Sequence, residues 1–424
     1  MKILLLSPNF APERTGIGVS ATDTARALQR LGHEVSVLTS VPYYPEWQVP
    51  ERYRRKLRID ETVHGISVTR LGRYVPQRPR TWNRIVHELS FAVPAALRLL
   101  ARRADLVVCI SPPLPLAVLA GWICALQRRR YWVYVQDIQP DTAVTLGMLR
   151  ARWLRWALAW LERRLYRVAE RVLVLSQDMG DNVRRKVPGA SLAELPLLVD
   201  VEDLAVELTP ERRRAVRAEM GAGDEDFLLF YSGNLGVKHD PETLVACARE
   251  ARPGDPVRIA IAGAGAREVA VREALAELGD DPAGARVRLL ELGSRQQLAE
   301  RLAAADALVL LQRAEVEALC VPSKLITYLA SGTPVIAAMS TGSSLAADLE
   351  RSGGVVQVAP SDADAILEAA RELAGDPTRA RGIGARGARF VRQQFHRDVV
   401  LRNYYEPLFG KVSSLESVSS PKAD

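Results

Sequence analysis

Short apolar runs alternate with longer amphipathic stretches along most of the chain. In the first half, apolar runs of strand length lie at residues 3–6, 34–39, 67–71, 106–110, 132–136 and 172–176, and helical patterns lie near 19–31 and 82–102. Alternation of this kind is typical of a parallel sheet with helices on both faces. The segment 195–209 breaks the pattern with proline and acidic residues, so we place a domain hinge there.

A second α/β series follows the hinge. Its apolar runs lie at 227–231, 257–262, 287–290, 307–311 and 335–339, with helical patterns at 240–252, 269–278, 295–304 and 323–329. The pattern therefore predicts two Rossmann-like parallel-sheet lobes, residues 1–200 and 201–385, that face each other across a cleft. Residues 386–411 are predicted to be helices that cross back to the first lobe, and the Ser- and Lys-rich residues 412–424 are predicted to be a disordered tail.

Charge is unevenly distributed between the two halves. Residues 1–200 contain 30 Lys and Arg against 17 Asp and Glu, whereas the remainder contains 27 against 33, so the net charge of +7 comes from the first half. One interpretation is that the first half meets an anionic partner, such as nucleic acid, phospholipid or a phosphorylated substrate. The other is that the composition simply favours arginine.

The cysteines and the longest apolar run indicate the cellular compartment of the protein. The four cysteines are scattered, without the spacing of a metal site or a disulfide framework, so we expect buried thiols in a reducing compartment. The first residues form a strand pattern rather than a signal peptide. The longest uncharged apolar run, 114–126, is shorter than the roughly 20 residues that span a bilayer. We therefore expect a cytoplasmic protein without a transmembrane helix.

The segment 321–337 combines polar residues with a helix and a strand. Ser323 and Lys324 precede a helical run that a Ser-Gly-Thr-Pro sequence ends before the next apolar strand. Free backbone N–H groups and the positive dipole end of a helix attract phosphate, and a lysine adds a full charge. A diphosphate would suit this position, although an ordinary α-β unit has the same pattern.

Three further loops carry glycines directly after strand patterns. Gly16 and Gly18 follow the first strand, where glycine lets backbone N–H groups approach a phosphate; a plain turn is the alternative. Asn234 and Lys238 lie on the loop that opens the second lobe and could hold an anion, against the alternative of a turn with a solvated lysine. Gly263 ends the next strand and could admit a base or ribose.

Together these loops resemble the retaining glycosyltransferases of family 4, which have the GT-B fold, and in particular their capsule and exopolysaccharide branch. The resemblance spans nearly the whole chain. It implies an acceptor-binding lobe (1–200) and a donor-binding lobe (201–385), which transfer a hexose from a UDP- or GDP-sugar to a polyprenyl-linked or other glycan acceptor. Gly16, Gly18, Asn234 and Lys238 would contact the donor diphosphate, and Gly263 would lie near the nucleotide.

The sequence departs from the family pattern at two places. The two glutamates that much of the family carries fall here on Leu319 and Thr327, so we expect Glu315 or Glu317 to substitute and Ser323 with Lys324 to take the diphosphate. We keep Thr327 among the donor-binding candidates. The family's histidine in the first lobe is matched by the loop of Asp137, which we predict to contact hydroxyl groups; a helix cap ahead of Pro140 is the alternative.

No cofactor or metal is expected, because no Asp-x-Asp ends a strand in the donor lobe and the five histidines lie far apart. Charge on the departing diphosphate would be met by Lys238, Lys324 and Arg14, in a front-face transfer that retains the anomeric configuration. Asp137 and Lys238 are therefore the predicted catalytic residues.

The helical pattern at 150–171 carries Trp153, Trp156 and Trp160 beside seven arginines, and 82–103 has a similar character. These features are typical of a helix at an anionic membrane surface, which favours a lipid-linked acceptor and peripheral association with the inner face of the plasma membrane. The alternative is that the tryptophans pack in the core.

Two other functions fit the same pattern. A nucleotide-sugar epimerase would share the scaffold but needs carboxylates and histidine about the sugar. A non-catalytic donor-binding subunit of a polysaccharide assembly complex would explain the missing glutamates. A nucleic-acid partner is not expected, because no recognition motif is present.

Overall fold

The computed structural model describes residues 1–13, 16–77, 81–149, 151–199, 201, 204–252, 254–278, 283–322, 324–342 and 344–411. The chain forms two compact units: the first is Met1–Leu198 together with the chain from Asp398 onward, and the second is Val199–Arg397. The boundary at Leu198 lies within the segment 195–209 where the sequence pattern breaks. The predicted tail, 412–424, lies outside the described residues.

The first unit is built on one largely parallel sheet. Its strands are β1 (Lys2–Leu6), β2 (Glu34–Ser40), β3 (Arg58–Val63), β4 (Ile66–Leu71), β5 (Leu106–Ser111), β6 (Arg130–Val135), β7 (Arg171–Val174) and β8 (Leu192–Glu194). They lie in the order β3-β4-β2-β1-β5-β6-β7-β8, and only β3 pairs antiparallel to its neighbour within the described residues. The pattern of apolar runs does not predict β3, because this edge strand alternates exposed polar and half-buried residues.

The helices of the first unit cover both faces of that sheet. They are α1 (Ile17–Arg30), α2 (Thr81–Leu100), α3 (Leu114–Leu126), α4 (Gln139–Thr145), α5 (Arg152–Val168) and α6 (Gln177–Lys186). The connections through α2, α3 and α5 all lead in the same direction across the sheet, whereas α1 connects β1 to β2 in the opposite direction. Since such crossovers are right-handed, α2, α3 and α5 share one face and α1 lies on the other.

The second unit repeats the architecture with a fully parallel sheet among its described residues. Its strands are β9 (Phe227–Asn234), β10 (Val257–Ala264), β11 (Val287–Leu290), β12 (Ala307–Leu311), β13 (Val335–Ala338) and β14 (Val355–Val358), in the order β11-β10-β9-β12-β13-β14. Its helices are α7 (Pro210–Glu219), α8 (Glu242–Glu250), α9 (Glu268–Ala276), α10 (Arg295–Ala304), α11 (Lys324–Ala330), α12 (Ser344–Ser352), α13 (Ala363–Gly375) and α14 (Pro377–Gln394). Apolar clusters cover both faces of the sheet.

The C-terminal segment returns to the first unit later than the sequence boundary of 386 indicates. Helix α14 remains in the second unit, where Val391 and Ile383 join its core clusters. The return is made by α15 (Arg397–Val400), a π-helical turn (Leu401–Tyr405) and α16 (Glu406–Phe409). Phe409 lies in the core of the first unit, and the Tyr405 hydroxyl is 3.3 Å from that of Thr24.

Candidate functional site

Glycines line the carboxyl edge of the second sheet, where β9 and β10 end. Gly233 pairs with Gly263 in the parallel register. A Cβ at Gly263 would lie 2.4 Å from the Gly233 carbonyl oxygen, so no larger residue fits without moving the strand. The side chain of Asn234 packs beside Gly265, where a Cβ would lie 2.4 Å from its Oδ1. The strand ends therefore form a closely packed backbone platform next to an exposed amide.

Lys324, at the start of α11, lies against this platform. Its Nζ donates a hydrogen bond of 2.6 Å to the Tyr231 hydroxyl and is 3.9 Å from the centroid of the Tyr231 ring. A Cβ at Gly233 would come within 3.3 Å of the same Nζ. Burial lowers the pKa of Lys324 from 10.5 to about 7. The ammonium is thus held in place at low polarity, where an anion would interact with it strongly.

Two tyrosines fix the lysine relative to the strand. The Tyr231 hydroxyl donates a hydrogen bond of 2.8 Å to the Asn234 carbonyl oxygen. The Tyr328 hydroxyl, one turn after Lys324, accepts from the Ser232 N–H at 2.7 Å and donates to the Ser232 carbonyl at 2.8 Å. Helix α11 is therefore attached to the end of β9 by hydrogen bonds of the Lys324 and Tyr328 side chains.

Lys238 lies on a 3-10 turn, Val237–His239, close to the same strand end. Its carbonyl accepts from the Arg313 N–H at 2.9 Å, and the next side chain, His239, donates from Nδ1 to the Leu311 carbonyl at 3.0 Å. Burial, with the nearby charges of Lys324 and Lys238, lowers the pKa of His239 to about 3. His239 is thus neutral at physiological pH, and the positive charge of this cluster belongs to the two lysines.

The remaining donor-lobe candidates occupy different environments. Glu317 is buried, and its carboxylate accepts from the Ser340 N–H at 2.6 Å, which ties the loop after β12 to the loop after β13. Leu319 is buried. Thr327 is half-buried on α11. Ser323 lies outside the described residues.

The glycine loop of the first unit is organised by a buried carboxylate that sequence reasoning missed. Glu13 accepts from the N–H groups of Tyr43 and Tyr44 at 2.9 and 3.0 Å, and burial raises its pKa. A Cβ at Gly18 would lie 2.8 Å from the Glu13 Cβ, so Gly18 is required by packing. Gly16 has a φ of 58° and open space around it, as the first residue before α1. Arg14, predicted to face the diphosphate, lies outside the described residues.

Asp137 follows β6 in the first unit. Its carboxylate accepts from the Thr142 hydroxyl at 3.0 Å, whereas Ile138 is the N-cap residue of α4 and makes no side-chain cap. The Asp137 side chain therefore contacts α4 one turn beyond the start of that helix. Asp137 is half-buried, beside Gln136.

The described residues contain neither a metal-binding cluster nor a membrane-spanning helix. No group of three or more His, Cys, Asp or Glu side chains is placed to hold a metal ion there. Within the same part of the chain, none of the helices has the length and apolar content to cross a bilayer. All four cysteines are free thiols in buried positions.

Two parallel-sheet α/β units, with a C-terminal segment that returns to the first, define the GT-B class of glycosyltransferases. The fold is supported by sucrose-phosphate synthase from Thermosynechococcus elongatus, with a TM-score of 0.72 at 18% identity over 95% of this chain and 96% of that one. Anabaena HepE, solved in complex with UDP and glucose, has a TM-score of 0.70 at 15% identity over 96% of this chain and 99% of that one.

The family follows from the sequence comparisons. A model of the glycosyl transferase 4-like domain matches residues 15–197, and a model of glycosyl transferases group 1 matches residues 226–376. A protein described as the colanic acid biosynthesis glycosyl transferase WcaI of Escherichia coli (strain K12) is 28% identical over 387 residues, 88% of this chain and 92% of that protein. The chain belongs to the glycosyltransferases of family 4.

Proposed function

We propose that this protein transfers a hexose from a UDP- or GDP-sugar to a lipid-linked glycan in cell-surface polysaccharide synthesis, with retention of the anomeric configuration. The observation that carries the proposal is the pair of lysines at the end of β9, with Lys324 held against Tyr231 and Gly233. A nucleoside diphosphate is the anion that two such cations and a glycine platform would suit. HepE, of the same fold, has been solved with UDP and with UDP-glucose.

In the proposed reaction, the bond between the anomeric carbon and the diphosphate oxygen breaks, and a bond from that carbon to an acceptor hydroxyl oxygen forms on the same face. The departing phosphate oxygen takes the hydroxyl proton, so the nucleoside diphosphate leaves as the other product. Lys324 and Lys238 would offset the negative charge that develops on the leaving group. Because these cations are provided by the chain, the proposed mechanism uses no metal.

The first unit would bind the acceptor. We propose that Asp137, held by Thr142, accepts a hydrogen bond from a sugar hydroxyl, and that the open backbone at Gly16 faces an anionic group. The buried carboxylate of Glu13 would fix that loop rather than take part in chemistry. The likeness to WcaI supports a polysaccharide acceptor, and we propose a polyprenyl diphosphate as its carrier.

The test is nucleotide release from a panel of UDP- and GDP-hexoses, measured with and without a polyprenyl-linked glycan acceptor. We expect acceptor-dependent release with one donor, insensitive to EDTA, and reduced on the order of a hundredfold in Lys324→Met and Lys238→Met, as for loss of a charged leaving-group contact. The exposed Lys56→Met is the matched control and should leave the rate unchanged.

Three outcomes would contradict the proposal. Acceptor-independent conversion of the donor sugar, seen by NMR, would indicate an epimerase. Donor binding without turnover across acceptors would indicate a non-catalytic subunit. An inverted anomeric product would leave a transferase but exclude the front-face mechanism.

A further inference from the structure

Helix α2 presents an unbroken apolar stripe to solvent. Its exposed apolar residues are Trp82, Val86, Leu89, Val93, Leu97 and Leu100, spaced three or four residues apart over five turns. Trp82 is 75% exposed and Leu97 62% exposed. The opposite face of the same helix is also apolar and buried, with Phe91 and Leu99 in the interior. The exposed stripe is therefore separate from the apolar residues that pack α2 against the rest of the unit.

Helix α5 has a second stripe, made of tryptophan and arginine. Trp153, Trp156 and Trp160 are 70%, 66% and 37% exposed. They continue at helical spacing into Arg164 and Arg167, both exposed, and the Arg164 guanidinium lies 5.4 Å from the Trp160 ring centroid. The alternative in which these tryptophans pack in the core is therefore wrong.

Helix α3 lies between the other two and joins their stripes. It packs against α2 on one side and α5 on the other. Its outward residues Trp122 and Leu126 are 41% and 79% exposed. We call the outward stripes of α2, α3 and α5 the α2–α3–α5 surface; five of the seven tryptophans of the chain lie on it. A soluble monomer rarely exposes an apolar area of this extent.

The charge of this surface indicates its occupant. Helix α5 contains five arginines and one glutamate, and that glutamate, Glu162, is buried in an ion pair with Lys186. The outward charge on α5 is therefore positive. Two copies of such a surface would repel each other, whereas anionic lipid headgroups would attract the guanidinium groups while the tryptophans enter the interface.

We propose that the α2–α3–α5 surface docks flat on an anionic phospholipid bilayer, with the stripes of α2 and α5 in the headgroup region. Such docking would place the first unit at the membrane, where a lipid-linked acceptor is presented. Membrane docking is a property separate from the transfer reaction. Vesicle binding is measured without donor or turnover, so the docking proposal and the transfer proposal can each fail without the other.

The test is cosedimentation of the full chain with vesicles of phosphatidylcholine, with or without phosphatidylglycerol, at low and high salt. We expect binding only to the anionic vesicles at low salt, and quenching of tryptophan fluorescence when the lipids carry bromine on their acyl chains. Trp153→Gln/Trp156→Gln/Trp160→Gln should weaken binding roughly tenfold or more, because apolar area entering the interface is lost. Exposed apolar residues elsewhere, Leu57→Gln and Val269→Gln, serve as controls and should bind as wild type.

The arginines are tested by a charge-matched pair of variants. Arg152→Gln/Arg164→Gln/Arg167→Gln should weaken binding on the order of a hundredfold, since each arginine near an anionic surface contributes about 1 kcal/mol. A second triple variant at the exposed Arg381, Arg389 and Arg392 of α14 removes the same charge elsewhere and should bind normally.

Equal weakening by both triple-arginine variants would overturn the proposal, because net charge alone would then explain binding. So would the absence of binding at low salt or of quenching by brominated lipid. A dimer in sedimentation velocity that the triple tryptophan variant dissociates would assign the surface to a second copy of the chain instead.

Discussion

Replacing Lys324 by methionine tests the central feature of the candidate site in the absence of any ligand. Methionine keeps the length of the side chain and removes the ammonium that lies against Tyr231. Two opposing effects set the free energy of the charged lysine: burial disfavours the charge, whereas the Tyr231 hydroxyl and ring favour it. The lowering of the pKa of Lys324 to about 7 indicates that burial dominates.

The sign of the effect on stability follows from proton linkage. Below pH 7 the lysine is charged in both folded and unfolded chains, so the folded state carries the full cost of the buried charge. Between pH 7 and 10.5 the unfolded chain binds more protons than the folded one, so wild-type stability rises with pH. We therefore expect Lys324→Met to be more stable than wild type at pH 6, with an advantage that disappears as pH approaches 10.5.

The size of that advantage can be bounded. A pKa shift from 10.5 to about 7 corresponds to about 5 kcal/mol for complete burial. Lys324 is half-buried and loses a hydrogen bond and a ring contact on substitution, so we expect a net gain of about 2 kcal/mol at pH 6. In a unit of this size that is a rise in Tm of roughly 4 to 8 °C.

The assay is thermal unfolding of wild type, Lys324→Met and the exposed-lysine control Lys56→Met at a series of pH values without nucleotide. The control should follow wild type throughout. Adding UDP or GDP should raise the Tm of wild type and leave Lys324→Met unchanged, since a ligand stabilises only a folded state that binds it. A variant less stable than wild type at pH 6, or a difference that does not shrink as pH rises, would refute the assignment of Lys324 as a desolvated cation.

Three other substitutions test the surrounding structure. Gly263→Ala should destabilise the protein to urea by about 3 kcal/mol, because its Cβ would meet a backbone carbonyl of β9 at 2.4 Å, whereas Gly189→Ala, with open space around it, should be near neutral. Arg217→Met should cost about 3–5 kcal/mol in the same assay, because it removes the guanidinium that donates to the carbonyls of Gly223, Asp226 and Ala304 and pairs with Asp306. The exposed Arg214→Met should cost less than about 1 kcal/mol. Tyr231→Phe keeps the ring but removes the 2.6 Å hydrogen bond that positions the lysine, so the nucleotide affinity measured by calorimetry should fall roughly tenfold. An unchanged Kd would show that the hydroxyl does not position the lysine.

The two-lobed α/β fold could be predicted from the sequence because its strands are buried and flanked by periodic helices. Helix α10 was predicted with its observed limits, 295–304. The short strands β8 and β14 were missed, because runs of three and four half-buried residues carry little periodic signal.

The lysine at the start of α11 was predictable from local sequence, but its partners were not. Tyr231 and Tyr328 lie in apolar runs and read as core residues. Their hydroxyl groups acquire a role only because α11 packs beside the end of β9, a contact between residues that are 93 and 96 positions apart. No short-range pattern encodes such a pairing.

For a similar reason, the sequence alone does not decide whether the tryptophans of α5 face the core or the solvent. The helix carries Leu165 on its buried face and tryptophan on the other, so helical spacing alone allows either face to be inside. The packed structure decides: Leu165 and Tyr166 are buried and α5 packs against α3, so the tryptophans face outward.

The choice of lysine at the candidate donor site of the second unit follows from the same geometry. Only seven of the 57 basic residues of the chain are lysine, and the second unit has just two, Lys238 and Lys324. The space around the Lys324 Nζ is limited by Tyr231 and by Gly233, whose Cβ would lie 3.3 Å away. A planar guanidinium is larger and keeps its charge at every physiological pH, whereas an ammonium fits and can lose its proton when no anion is present. Lys324 can therefore release its proton near neutral pH and take one up again when an anion binds, which an arginine at the same position could not do.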